Sequence, residues 1–212
     1  MEERSEQGFE LVKIDNTGDN PRMREVWRRT YTDYLGSGYC SANSLRMLRH
    51  YRDLDCIAET SVFGTYANGR LIGTNSLTLD KKGLVLPGDY VFPDFLNEIR
   101  KECESEGKIL GVSWRLVTAP EYRCRTKIVS GLINRTIEEI KEIGLDVLLC
   151  SVNPRHEGFY NHRCGFEKIA GPKKESSVEN AEAVLLRVDS DVLFQVWGEG
   201  YKRNGRHKRN RR

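Results

Sequence analysis

The stretch RLVTAPEYRCRTK carries four cations, Arg115, Arg123, Arg125 and Lys127, where an apolar run gives way to a helical pattern. Cations at a helix start oppose its dipole, so stability alone does not favour them there, whereas an anionic ligand at that end would. The chemistry they suit is pairing with a phosphate, or with acidic side chains of a partner protein. The plainer alternative is a set of solvent-facing charges on a first turn. Arg115 lies within the run itself, where its planar fork matches a carboxylate, although an arginine on a strand often only pairs with a structural acid. Downstream, NPRHEGFY contains His156. An imidazole with an ordinary pKa of about 6.5 suits accepting a proton from an ammonium; it equally suits capping a helix or touching a partner. His50, His162 and His207 show no metal-ligand spacing, and no metal is expected.

The elements that must position these residues are readable from periodicity. FELVKI (Phe9 to Ile14) reads as a strand. From Arg22 to Leu35, Met23, Val26, Trp27, Thr30, Tyr31 and Tyr34 recur at helical spacing, and a second helix is expected from Ser44 to about Arg52 with Leu45, Leu48 and Tyr51 inward. SVFGTYANGRLIGTNSLTLD is a hairpin turning at Asn68-Gly69, the pair that accepts positive φ at both central positions. A helix begins near Pro93, Lys108 to Ala119 is a strand, and Thr126 to Ile143 is a long amphipathic helix with Gly144 just past its end. DVLLCSV is apolar enough for a strand buried on both faces. A short helix from His156 to Cys164, then FEKIA and AEAVLLRV as strands, complete the pattern. Strand, helix and strand in this order make a parallel βαβ crossover between antiparallel hairpins, so the expected fold class is mixed α/β (α+β) around one central sheet with flanking helices.

Composition bounds the rest. A chain of 212 residues suits one domain, expected over residues 1–198. YKRNGRHKRNRR adds seven cations and no acid, leaving 27 basic against 31 acidic residues elsewhere, so the body is not a nucleic-acid binder by charge. Residues 199–212 are expected to be a disordered basic tail; contact with nucleic acid, an anionic membrane or an acidic protein is the alternative. No stretch approaches the roughly 20 apolar residues of a membrane span, and MEERSEQGFE lacks a secretory pattern, which points to the cytoplasm. Six cysteines without a C-x-x-C pair read as reduced thiols.

Order and spacing in the second half resemble the GNAT acyltransferase superfamily: a strand, P-x-x-R at LVTAPEYRCR, the helix TKIVSGLINRTIEEIKEIG, the strand DVLLCSV, and NPRHEGFYNHRCGFEKI. With NGRLIGTNSLTLD and GLVLPGDYVFPDFLNEIR, the stretch from Val26 to Ile169 is similar to the FeeM-type N-acyl amino acid synthases, relatives of the acyl-homoserine lactone synthases. The resemblance implies a GNAT fold and transfer of a long-chain acyl group to the amine of an amino acid or similar small amine. It implies no permanently bound cofactor, the co-substrate being the acyl-phosphopantetheine of acyl carrier protein, or acyl-coenzyme A. Coenzyme-A-dependent relatives cradle the pyrophosphate with small glycines at the helix start. Thr126 and Ile128 stand in those places here, which makes a poorer cradle for a pyrophosphate and favours a carrier-protein donor.

Site roles follow from the same resemblance. Tyr160 matches the tyrosine that protonates the leaving thiolate; Val117, in SWRLV, matches the splayed strand whose backbone N–H receives the thioester oxygen; His156 is the candidate base. Arg115, Arg123, Arg125 and Lys127 form the donor-binding set, and Arg24, Trp27 and Tyr34 border the acceptor. Packing explains Tyr160 and Trp27 as well. One departure stands out: the relatives carry a glutamate shortly before the strand arginine, and here Gly111 or Val112 occupies that place. The competing readings are a coenzyme-A-dependent N-acetyltransferase and a catalytically silent GNAT-like module that binds acyl carrier protein or lipid.

Overall fold

The computed structural model describes residues 8–123, 125–175 and 178–209, with 200–209 as backbone. The chain runs β1 (Glu10–Ile14), α1 (Pro21–Gly36), β2 (Thr60–Ala67), β3 (Arg70–Leu79), α2 (Pro93–Glu106), β4 (Leu110–Thr118), α3 (Thr126–Ile143), β5 (Val147–Val152), α4 (Glu157–Cys164), β6 (Glu167–Lys174), β7 (Glu182–Asp189) and α5 (Ser190–Arg209). The strands form one sheet in the order β1-β2-β3-β4-β5-β7-β6. Every neighbouring pair is antiparallel except β4 and β5, which the α3 crossover joins in parallel.

Local chemistry accounts for the element ends. Asn20 caps α1 by accepting from the Met23 N–H at 3.0 Å, with Pro21 pre-set for the first turn. Asn68 and Gly69 take φ of 50° and 71°, closing the β2–β3 hairpin as its sequence requires. Helix α3 stops at Gly144, whose left-handed φ of 69° a side chain would disfavour. Its apolar stripe, Ile128, Leu132, Ile133, Ile137 and Ile140, packs with Phe63, Ile72 and Leu148 on one face of the sheet, where Cys164 and Leu193 also join. The opposite face holds α2 over Val112, Leu149 and Leu185, and α1 over Val62 and Leu71.

Two sequence expectations change. Residues 44–52 form turns and irregular chain rather than a helix. Arg46 has a φ of 51°, Leu45 is 71% exposed, and the Leu48 N–H donates to the Trp27 carbonyl on α1 instead of to a local turn. Second, a helix that periodicity did not single out, α5, follows β7, with Leu193 buried and Gly165 held close to Val192 and Val196. Its backbone stays helical to Arg209, so the stretch read as tail from 199 continues the helix through that residue. Between the sheet and residues 84–99 the space is filled by the chain's own Leu86, Phe92 and Leu96. A Cβ at Gly88 would lie 2.8 Å from Leu96 Cδ1.

Cys40, Cys56, Cys103, Cys150 and Cys164 are free thiols; Cys124 lies outside the described residues. Among the described residues no helix is long and apolar enough to cross a membrane.

Candidate active site

Strands β4 and β5 pair through Leu110–Val147, Gly111–Leu148 and Val112–Leu149, and there the ladder ends. The cause lies in β4. Between the Thr74–Val117 and Ser76–Trp114 pairs, β4 has two residues where β3 has one, and Arg115 in that bulge takes a φ of 61°. A bulge bends its strand and raises its twist, so β4 swings away from β5. The gap is a cavity of about 1030 Å³. One wall comes from α3 and α4, through Thr126, Val129 and Tyr160; the other comes from α1 and the loop after it, through Tyr34, Tyr39, His50 and Tyr51, with Glu175 and Ala183 beside them.

The cleft brings several nominated residues together. Tyr160, His156, Val117, Tyr34, Arg115 and Arg123 all line it. Tyr160 is gripped edge-on by Phe159 and Phe166, each at 5.4 Å between centroids, and burial holds its phenol well above the ordinary value, hence protonated. The acceptor nominee Tyr34 places its hydroxyl 3.2 Å from His50 Nδ1.

Two catalytic nominations meet obstacles. The Ala119 N–H donates to the Ile72 carbonyl at 2.7 Å. In an antiparallel ladder the next hydrogen-bonded pair is then Thr74–Val117, so the Val117 N–H points at β3 and the amides that alternate toward the cleft are those of Leu116 and Thr118. His156 accepts from Arg155 Nε through its Nε2 at 3.1 Å, and burial together with that guanidinium lowers its pKa. The lone pair a base would use is therefore engaged.

Others stand apart from the cleft. Arg125 lies over the Tyr122 ring at 5.1 Å, and Lys127 is exposed on the first turn of α3. Arg24 is exposed and pairs with Asp19 at 2.7 Å, at the other end of α1 from the cavity. Trp27 is buried, its Nε1 donating to Asp55 Oδ2 at 2.8 Å.

A family model for the N-acyl amino acid synthase FeeM matches residues 25–189. The chain belongs to the FeeM family. Its fold is that of the GNAT acyltransferases, and the family and fold together support N-acyltransferase activity. The structure of FeeM from uncultured soil microbes superposes with a TM-score of 0.71 at 21% identity, covering 90% of this chain and 95% of that one. The acyl-homoserine lactone synthase LasI gives 0.61 at 11%, covering 92% and 96%. A putative N-acetyltransferase from Lactobacillus plantarum gives 0.56 at 15%, covering 85% and 97%. At these identities the superpositions speak to the fold. No curated protein matches.

In this FeeM-family chain neither candidate place for the strand glutamate offers a carboxylate: Val112 is buried in the core, and a Cβ at Gly111 would sit 2.5 Å from Leu145 Cδ1 and 3.2 Å from the Thr78 carbonyl oxygen, so a side chain there would have to displace Leu145. The acid that meets Arg115 arrives from elsewhere. Asp55, wholly buried in the loop before β2, pairs with Arg115, while Ser76 Oγ accepts from the same guanidinium at 2.7 Å. Asp55 also takes the Trp27 indole N–H, and Arg49 stacks over that indole at 4.4 Å. Arg115 is thus held as a structural cation under the cleft floor. Periodicity could not find Asp55, because its loop has none.

His50, which has no metal-ligand spacing in the sequence, is an imidazole on the α1 side of the cleft, 4.0 Å from the Tyr51 ring. Burial and then the Arg115 charge push its pKa down to about 3. The unfolded chain takes up that proton near 6.5 and the folded chain refuses it until about 3, so stability is full above 6.5 and falls as pH drops through that window. Acidification from pH 7 to 4.5 is expected to cost roughly 2–3 kcal/mol through this group. Urea unfolding of His50→Gln should show a shallower acid dependence by that amount; parallel curves for the two proteins would remove His50 from the account.

Proposed function

We propose that the protein transfers a long-chain acyl group from the phosphopantetheine thioester of acyl carrier protein to the amine of an amino acid or similar small amine. The observation that carries this reading is the cleft lined from both faces of the sheet, with Tyr160 on the α3–α4 side and Tyr34, His50 and Glu175 on the α1 side. A thioester entering between α3 and α4 and an amine entering beside α1 would meet at β4. The amine nitrogen attacks the thioester carbon, and a cleft-facing β4 amide, from Leu116 or Thr118, receives the developing oxyanion. The C–S bond then breaks, Tyr160 protonates the thiolate, and the proton shed by the nitrogen returns to the phenolate.

The donor reading is supported at the start of α3. Thr126 lines the cleft there and Ile128 packs into the core, its Cγ2 3.1 Å from where a Cβ on Gly73 would sit, so no run of small glycines is present to close its amides on a pyrophosphate. Because the space under residues 84–99 is filled, a long acyl chain has to follow the cleft toward Pro87 and Ala183.

The test offers purified protein long-chain acyl carrier protein, long-chain acyl-coenzyme A and acetyl-coenzyme A, each with a pool of amino acids, and reads products by mass spectrometry. Acyl amides are expected first and most abundantly with the carrier-protein donor. Product with acetyl-coenzyme A alone would sink the donor assignment.

A further inference from the structure

Arg29 is a buried cation that the reaction above does not use. It lies on α1 with 6% of its surface exposed, and its Nε and Nη2 are buried without a hydrogen-bond acceptor. A guanidinium stripped of water and left unpaired costs several kcal/mol, so such a group in a stable protein calls for an anion that arrives later.

Its surroundings show which end of the molecule that anion would occupy. One helical turn on, Asp33 lines the cleft and accepts from Arg123 Nη2 at 2.6 Å. Arg123 closes the short turn Pro120–Tyr122 between β4 and α3. From the β2–β3 hairpin, Arg70 reaches Glu121 of the same turn at 3.3 Å. Asp33, Glu121, Arg70 and Arg123 are the charges that act on Arg29, although burial outweighs them and lowers its pKa. Three guanidinia face two carboxylates, each carboxylate already has its own arginine, and Arg29 is the member left over.

We propose that Arg29, with Arg70 and Arg123 beside it, seats the phosphate diester of a pantetheine arm at the β4–α3 turn. Arg29 supplies the paired, desolvated donors and the other two arginines supply charge at the rim. This rests on the phosphopantetheine reading of the donor and adds to it a cation from α1, outside the turn where coenzyme-A-binding relatives hold phosphate with backbone. A guanidinium edge offers two parallel N–H groups to two phosphate oxygens, which a single phosphodiester can accept in full.

The experiment is a calorimetric titration of the full chain with 4′-phosphopantetheine, pantetheine and coenzyme A, for wild type and Arg29→Met. Wild type should bind the phosphorylated arm about tenfold to a hundredfold more tightly than pantetheine, the range for charge-assisted hydrogen bonds. Arg29→Met should abolish that preference and leave pantetheine affinity unchanged. Its thermal stability should equal or exceed wild type, since an unpaired buried charge has been removed. Arg70→Ala, at an exposed rim position, should weaken the preference only in part. A preference that survives Arg29→Met, or none in wild type, overturns the seat. An Arg29-dependent gain of coenzyme A over phosphopantetheine would assign a pyrophosphate instead and overturn it equally. Binding needs no turnover, so the seat can stand if the donor panel yields no product, and it can fall while acyl transfer is observed.

Discussion

Tyr160→Phe is expected to lower kcat for a pantetheine thioester by about 10²–10⁴-fold, the usual range for losing a positioned general acid. The phenol sits in the cleft with burial, Cys150 and Cys164 all raising its pKa, so it is protonated at any working pH. A phenol so raised would be a poor acid toward a thiolate in water. In the same dry cleft the departing thiolate is also stripped of solvent and becomes more basic, which restores the match. The substitution removes one hydroxyl and leaves the ring between Phe159 and Phe166, so stability should move by no more than about 0.5 kcal/mol. Leaving-group dependence separates an acid from a packing residue. With an aryl thioester, whose thiolate departs without help, the defect should shrink toward unity. An undiminished kcat, or the same defect for alkyl and aryl thioesters, would take Tyr160 out of the mechanism.

The second large effect is on stability. Asp55→Ala strands the Arg115 guanidinium beneath the cleft and takes the acceptor from the Trp27 indole, both at sites without solvent. Removing one partner of a buried pair costs about 3–5 kcal/mol, because the survivor keeps its desolvation without its counter-charge. For a chain of 212 residues each kcal/mol lowers Tm by about 2–4 °C. The double variant Asp55→Leu, Arg115→Met should regain much of that loss, since two apolar side chains of similar reach owe nothing to water. Guanidinium unfolding of the single and double variants reads both. If the double variant is as unstable as the single one, the pair's charge is not what the site depends on.

What the sequence made legible was whatever repeats. Helix α3 came out at its bounds because its stripe of isoleucines and leucine keeps a helical period and Gly144 marks the stop. The hairpin came out because Asn68-Gly69 admits few other conformations. Within residues 37–59 the helical spacing of Leu45, Leu48 and Tyr51 misleads, because the segment folds as turns and irregular chain. Asn43, Arg46 and Leu48 are placed by contacts with α1 and with one another, and that loop delivers His50 and Asp55. The setting of Gly111 was equally hidden: of the two places for the missing acid, Gly111 or Val112, the first is crowded by Leu145 and the Thr78 carbonyl. Val117 and Arg115 show a third kind of limit. Both were picked from the right strand, but a bulge and an alternation of amides decide which groups face the cleft, and neither is written in residue type.

Where β4 parts from β5, the molecule possesses two sheet edges in its own interior. Ordinarily an unpaired edge recruits other chains and invites aggregation, and proteins blunt it with charge or proline. Here the edges face each other across the cleft, which α3 and α4 line on one side and α1 on the other. The pantetheine arm proposed as donor is thin, extended and studded with amides, and would pair there. Taking up such an arm would turn an aggregation hazard into a binding site.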